Sequence, residues 1–214
     1  YEFEGCPHCR LVRETFTEIR MDVVIYPCPS QGTRYRPRAM ELAGGSTTFP
    51  LLVDPNRDVV MPESRDIIEY VYEQYTDVAP KRPGVLATLS SSVASAARLG
   101  QGARARPSSE PDTLLELWSF EASPFSRIVR ETLCELELPY ILHQVPKEQA
   151  SDIGTTGIRV GGAKNWEPVE GGRREQLLEL GGLAQVPFLV DPNTGEQMYE
   201  SADIADYLEQ TYSL

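Results

Sequence analysis

The chain repeats itself, and this constrains its fold more than any other feature. Tyr1-Glu2-Phe3-Glu4-Gly5-Cys6-Pro7-His8-Cys9-Arg10-Leu11-Val12-Arg13-Glu14-Thr15 aligns with Trp118-Ser119-Phe120-Glu121-Ala122-Ser123-Pro124-Phe125-Ser126-Arg127-Ile128-Val129-Arg130-Glu131-Thr132 at an offset of 117. Further on, Phe49-Pro50-Leu51-Leu52-Val53-Asp54-Pro55-Asn56 aligns with Val186-Pro187-Phe188-Leu189-Val190-Asp191-Pro192-Asn193 at an offset of 137. Glu63-Ser64 and Tyr70 keep the second offset against Glu200-Ser201 and Tyr207. The second copy therefore carries 20 extra residues, the difference between the offsets, and they fall in the Gly-rich stretch Gly154–Gly172. That stretch lacks an apolar period and reads as a surface loop. Two tandem copies of one unit account for 214 residues better than one large domain does.

Each copy reads in the same order. An alternating apolar segment (Tyr1–Phe3, Leu115–Phe120) predicts a strand. A proline then opens a helix at its first turn, where a missing N–H does no harm. The helix runs to about Ile19 and Leu136, with Leu11, Phe16 and Ile19 at helical spacing. A second strand (Val23–Tyr26, Tyr140–His143) and a short helix (Arg38–Leu42, Arg174–Leu180) closed by Gly-Gly pairs follow. Asp-Pro-Asn turns join two strands, Leu51–Val53 to Val59–Val60 and Phe188–Val190 to Gln197–Met198. Glu-Ser then starts a last helix, Ser64–Tyr75 and Ser201–Tyr212, with the serine expected as N-cap. The expected organisation is residues 1–76, a linker 77–113 with an amphipathic helix at Leu86–Ala97, and residues 114–214.

Charge excludes one class of partner. There are 20 basic and 32 acidic residues, net −12, split as −4 over 1–76, +2 over 77–113 and −10 over 114–214. Such a surface repels phosphate, so nucleic acid is not expected. No run reaches the roughly 18 apolar residues of a membrane span. Four cysteines are too few for a secreted disulfide scaffold of this size. The sequence opens at Tyr1, without Met and inside what reads as a strand, so a trimmed form without a targeting segment is expected.

Two of the cysteines sit where chemistry is favoured. Cys6-Pro7-His8-Cys9 falls at a strand end where a helix begins. Unpaired N–H groups and the positive end of the helix dipole favour a thiolate there, and protonated His8 would add to it. An exposed Cys6 with a lowered pKa is expected, with Cys9 one turn on to resolve a mixed disulfide. A zinc site needs two further ligands, and only His8, His143, Cys28 and Cys134 remain, without a second paired motif; no metal is expected. Cys28 reads as a solvent-facing thiol and Cys134 as a half-buried packing residue.

These residues resemble a known family. Cys6-Pro7-His8-Cys9 opening a helix, Phe49-Pro50 before a strand and Glu63-Ser64 opening the last helix look like glutaredoxin and the N-terminal domain of glutathione S-transferases. The order β-α-β-α-β-β-α is that of the thioredoxin-like fold. Tyr26-Pro27-Cys28-Pro29, Arg36-Pro37, Gly44-Gly45 and the Phe49–Asn56 run are similar to the plant and algal group with two such domains in tandem and without the all-helical transferase C-terminal domain. The resemblance implies a chloroplast setting and glutathione as ligand or substrate. It implies a cis Pro50, with the Phe49 backbone on the cysteinyl part of glutathione and Glu63 and Ser64 on its γ-glutamyl end. Arg34, Arg36 or Arg38 would reach the glycine carboxylate or be solvated.

The second copy has lost both thiols, since Ser123-Pro124-Phe125-Ser126 stands at that place. Dithiol exchange is impossible there, although a Ser123 hydroxyl at a helix start suits an anion. Val186, Pro187, Glu200 and Ser201 complete a second candidate site. Three functions stay open. One is a glutathione-linked thiol–disulfide oxidoreductase or transferase-like protein, with Cys6 as nucleophile and Cys9 as resolving thiol. The second is a non-catalytic glutathione-binding or protein-interaction scaffold. The third is an iron–sulfur or haem site through Cys6.

Overall fold

A computed structural model describes residues 1–79, 101–152 and 166–214; the helix expected at Leu86–Ala97 and residues 154–165 of the expected loop lie outside them. In the first half, α1 (Pro7–Ile19) leads to β1 (Val23–Ile25), α2 (Arg36–Leu42), the hairpin β2 (Leu51–Asp54) and β3 (Val59–Pro62), and α3 (Ser64–Tyr75). In the second, β4 (Leu115–Ser119) leads to α4 (Pro124–Glu135), β5 (Tyr140–Gln144), α5 (Arg173–Gly181), the hairpin β6 (Phe188–Asp191) and β7 (Glu196–Tyr199), and α6 (Ser201–Tyr212). Both long opening helices start on a proline. The residue before it, Cys6 or Ser123, is extended, and its side chain accepts the N–H of Cys9 or Ser126.

The strand expected at Tyr1–Phe3 is reduced to its end. Glu2 makes one parallel bridge to Pro27, and Tyr1 and Leu51 exchange two hydrogen bonds of 3.0 Å. These pairs correspond, by the offsets of the repeat, to Ser119 with Gln144 and Trp118 with Phe188 in the second half. The register is thus the same, but the ladder stops at Tyr1. In the second half, Leu115 and Leu117 continue it and pack with Val129, Leu133, Leu142, Ile204 and Leu208, all at most 2% exposed. The corresponding Val12, Phe16, Ile25, Ile67 and Val71 instead line a cavity of about 610 Å³ between β1 and β2. In the second half Leu115 and Leu117 pack in the corresponding place. The strands form a five-stranded sheet, β1-β5-β4-β6-β7, and a separate β2-β3 pair.

The halves join edge to edge. β1 runs antiparallel to β5 with Val23 opposite Leu142, Val24 opposite Ile141 and Ile25 opposite Tyr140. Val24 and Ile141 differ by the repeat offset of 117, so corresponding residues meet at the centre, as in a self-complementary two-fold interface. Above this seam α1 and α4 cross their charges. Arg13 holds Glu121 through Nε (2.9 Å) and Nη2 (3.4 Å), reaches Glu4 at 3.0 Å and also bonds Glu2. Arg130 holds Glu4 through Nε (3.1 Å) and Nη2 (3.2 Å), and meets Glu121 at 3.2 Å and the Ser119 hydroxyl at 2.9 Å. Both guanidiniums are at most 2% exposed. Although burial raises it, the pKa of Glu4 is held below its ordinary value by Arg13 and Arg130, whereas burial pushes Glu2 up. Buried charges persist only when paired in this way.

Candidate functional site

The first-half motif lies at the start of α1. The Cys6 thiol accepts the Cys9 N–H at 3.2 Å and points at the Phe49 carbonyl, 3.7 Å away. A hydrogen bond from the Cys9 thiol holds the Cys6 pKa below its usual value; burial and the Glu2 carboxylate oppose this, and the Cys9 and His8 N–H groups assist it. Burial, and the bond it gives to Cys6, push Cys9 well above the ordinary thiol range. The two sulfurs are thus unequal. Cys6 is not exposed as expected, for the residue is 4% accessible. Its thiol faces Phe49, whose ring is met edge-on by Phe3 and covered by the Arg36 guanidinium at 4.8 Å.

The peptide bonds Phe49–Pro50 and Val186–Pro187 are cis. Neither Ser64 nor Ser201 caps its helix. Each is the first helical residue, behind Glu63 (φ 72°) and Glu200 (φ 66°), and neither N-cap makes a side-chain cap bond. The left-handed glutamate turns the chain so sharply that it takes the cap position from the serine. Two of the three arginines serve structure. Arg34 donates to Leu136 and Glu137 of the second half and to Ser108, and Arg36 to the Cys28 carbonyl at 2.8 Å. Arg38 pairs with Glu41 in solvent. Cys28 is fully buried against Ala39 and Leu51 rather than solvent-facing, and burial pushes its thiol to about 12. Cys134 is also buried, accepting the Glu4 N–H at 3.4 Å, and burial raises it well above the thiol range.

In the second half the predicted residues converge. Ser123, Val186, Pro187, Glu200 and Ser201 line one cavity of about 520 Å³, with Phe120, Phe125 and Lys147 beside them. Ser123 is positioned by α4, Val186 and Pro187 by the entry to β6, and Glu200 and Ser201 by the start of α6. Lys147 stands 5.4 Å from the centre of the Phe120 ring. Gln185 donates to Glu200 at 2.8 Å. The wall is stiffened by Arg174, which donates to the Pro146 and Ala184 carbonyls and pairs with Asp152 at 3.3 Å. Against burial, the Glu148 N–H and Trp166 hold Asp152 below the usual carboxylate value. A cavity of this size, with a cation, a hydroxyl and a helix N-terminus converging on it, suits a small anionic peptide. The Ser126 hydroxyl, in the place of Cys9, is fully buried without a hydrogen-bond partner. Among the described residues no three His, Cys, Asp or Glu side chains are grouped to hold a metal.

Two clusters escape sequence reasoning. One is the Arg13–Arg130 network, whose only signal is the Arg-x-x-Arg-Glu-Thr present in both copies. The other is His143, which bridges Asp22 of the first half (2.9 Å) and Glu116 of the second (3.0 Å) while stacked on Trp118.

The helices and cis prolines around the sheets, with a cysteine at the start of the first helix, define a mixed α/β protein of the thioredoxin-like class. The family profile described as glutathione S-transferase, N-terminal domain, matches residues 1–79 and 117–214, and the chain belongs to that family. Comparison with curated proteins gives no match, and neither does comparison with solved structures.

Proposed function

We propose that the chain is two tandem thioredoxin-like units and that its open site for glutathione is the second-half cavity. The carrying observation is the convergence of Ser123, Val186, Pro187, Glu200 and Ser201 with Lys147 on one cavity. In this reading the free N–H groups of α6 take the γ-glutamyl carboxylate and Glu200 its ammonium group. The Val186 backbone pairs with the cysteinyl residue, Ser123 faces its sulfur, and Lys147 takes the glycine carboxylate. Titration calorimetry with reduced glutathione tests it. Lys147→Glu should weaken binding about tenfold or more, since a charge-assisted bond becomes a repulsion. Cys6→Ser should leave binding unchanged. Absence of binding to the unmodified protein at millimolar glutathione refutes the reading.

A second activity is favoured by the unequal thiols of the first half. The Cys6 thiolate attacks a glutathione mixed disulfide and expels the other thiol as thiolate, which leaves Cys6 bonded to glutathione. Cys9, once deprotonated, attacks the Cys6 sulfur, releases glutathione and closes a Cys6–Cys9 disulfide. Two reduced glutathiones then reduce this disulfide back to the dithiol and leave as one molecule of glutathione disulfide. Turnover with a glutathione-linked disulfide should vanish in Cys6→Ser; undiminished turnover in that variant rules the activity out.

A further inference from the structure

We propose that residues Gly102–Ala105 form a strap that closes the first-half groove, so that Cys6 meets its reagents only when the strap lifts. The inference rests on reading the second-half cavity as the ligand site. One end of that cavity is made by Phe120, Ala122 and Lys147. Their first-half counterparts, at the offset of 117, are Phe3, Gly5 and Ser30. Gly5 and Ser30 are met by the chain itself. The Ser30 N–H donates to the Ala103 carbonyl at 2.6 Å, the Ala105 N–H returns a bond to the Ser30 carbonyl at 2.9 Å, and Ser30 and Arg104 form a parallel bridge. The Ala103 methyl lies 3.4 Å from where a Cβ on Gly5 would stand, close to the Phe3 ring. The second half carries Ala122 at that position, and Ala122 is exposed.

The strap is held from the other side of the seam. Gly102 is left-handed (φ +73°) and wedged so that a Cβ would fall 3.0 Å from both Glu4 and Glu131. Its N–H donates to Glu135 at 2.8 Å. Arg106 then anchors the segment to Glu135 at 3.0 Å and to Glu209, both in the second half. Second-half helices therefore pin a segment whose backbone pairs with the first half. The result matches the accessibilities: Cys6 is 4% exposed, whereas its counterpart Ser123 is partly open.

Peptide-mapped alkylation of the whole protein by iodoacetamide tests this. Ala105→Pro removes one of the two backbone bonds and leaves the Arg106 anchor. Loss of one such bond should raise the Cys6 alkylation rate about tenfold. Cys28 and Cys134 should stay unreactive, as a folded core requires. An unchanged Cys6 rate with those two still protected overturns the proposal. If Cys28 and Cys134 also react, the variant has unfolded, and hydrogen exchange of the unmodified protein decides. Protected Ser30 and Ala105 amides then support the strap, and amides exchanging as fast as open loops overturn it. Glutathione titration is a separate readout. A faster Cys6 in a protein that binds no glutathione would keep the strap and discard the ligand reading.

Discussion

Arg130→Met isolates the charge network over the seam. The substitution keeps most of the side-chain volume but removes both bonds to Glu4, the ion pair to Glu121 and the bond to Ser119. Glu4, with a side chain only 2% exposed, keeps Arg13 at 3.0 Å and a distant Arg127 at 3.9 Å. Leaving a buried carboxylate so poorly compensated costs about 3–5 kcal/mol. Against a total stability of about 5–15 kcal/mol this is a large loss. With a urea slope of about 2 kcal/mol per molar, the unfolding midpoint should fall by about 2 M. Arg130→Met with Glu4→Gln removes the stranded charge and should recover a large part of the loss. The gap between wild type and Arg130→Met should also depend on pH. The folded pKa of Glu4 lies below its unfolded value of about 4.5, so its contribution is present above that value and lost as pH falls through the folded pKa. Urea titrations followed by fluorescence at pH 7 and in acid give all of these numbers. A midpoint shift under about 0.5 M, or a double variant no more stable than Arg130→Met, would refute the view that the paired charges hold the halves together.

Two other outcomes are expected. Burial opposes protonation of His143, but Asp22 and then Glu116 outweigh it and raise its pKa, so its bridge stabilises fully below about 6.5 and fades as pH rises through the folded value; the melting-temperature gap to His143→Gln should be larger at pH 5.5 than at pH 9. Removing the unpartnered hydroxyl with Ser126→Ala should stabilise the protein by about 1 kcal/mol in a urea titration, and a loss of that size would mean that the hydroxyl is satisfied.

Local chemistry made much of this architecture legible. Pro7 and Pro124 announced the helix starts because a missing N–H costs nothing there, and Asp-Pro-Asn announced the hairpins because aspartate bonds the N–H two residues on, as Asp54 does to Asn56. The alternation of Leu115–Phe120 gave β4 to within a residue of its end. The failures were long-range. Cys28 looked open because it sits between prolines in a polar stretch, and nothing local showed that Ala39 and Leu51 would close over it. Cys6 looked exposed because a helix start usually is, and Phe49, which its thiol faces, lies far along the chain. Ser64 was expected to cap α3 from its identity alone, but the left-handed backbone of Glu63 decides the cap geometry. The arginines of α1 and α4 carry no local sign of their partners, and the pairing of β1 with β5 brings them together.

That pairing frees the protein from a constraint that binds separate subunits. When two identical chains meet about a two-fold axis, every substitution occurs twice, and the complex dissolves on dilution. Here Val24 and Ile141 face each other within one polypeptide, so the partners stay together at any concentration. Each side can then change alone: Cys-Pro-His-Cys persists on one flank while Ser-Pro-Phe-Ser occupies the other, an asymmetry that no homodimer of either unit could encode.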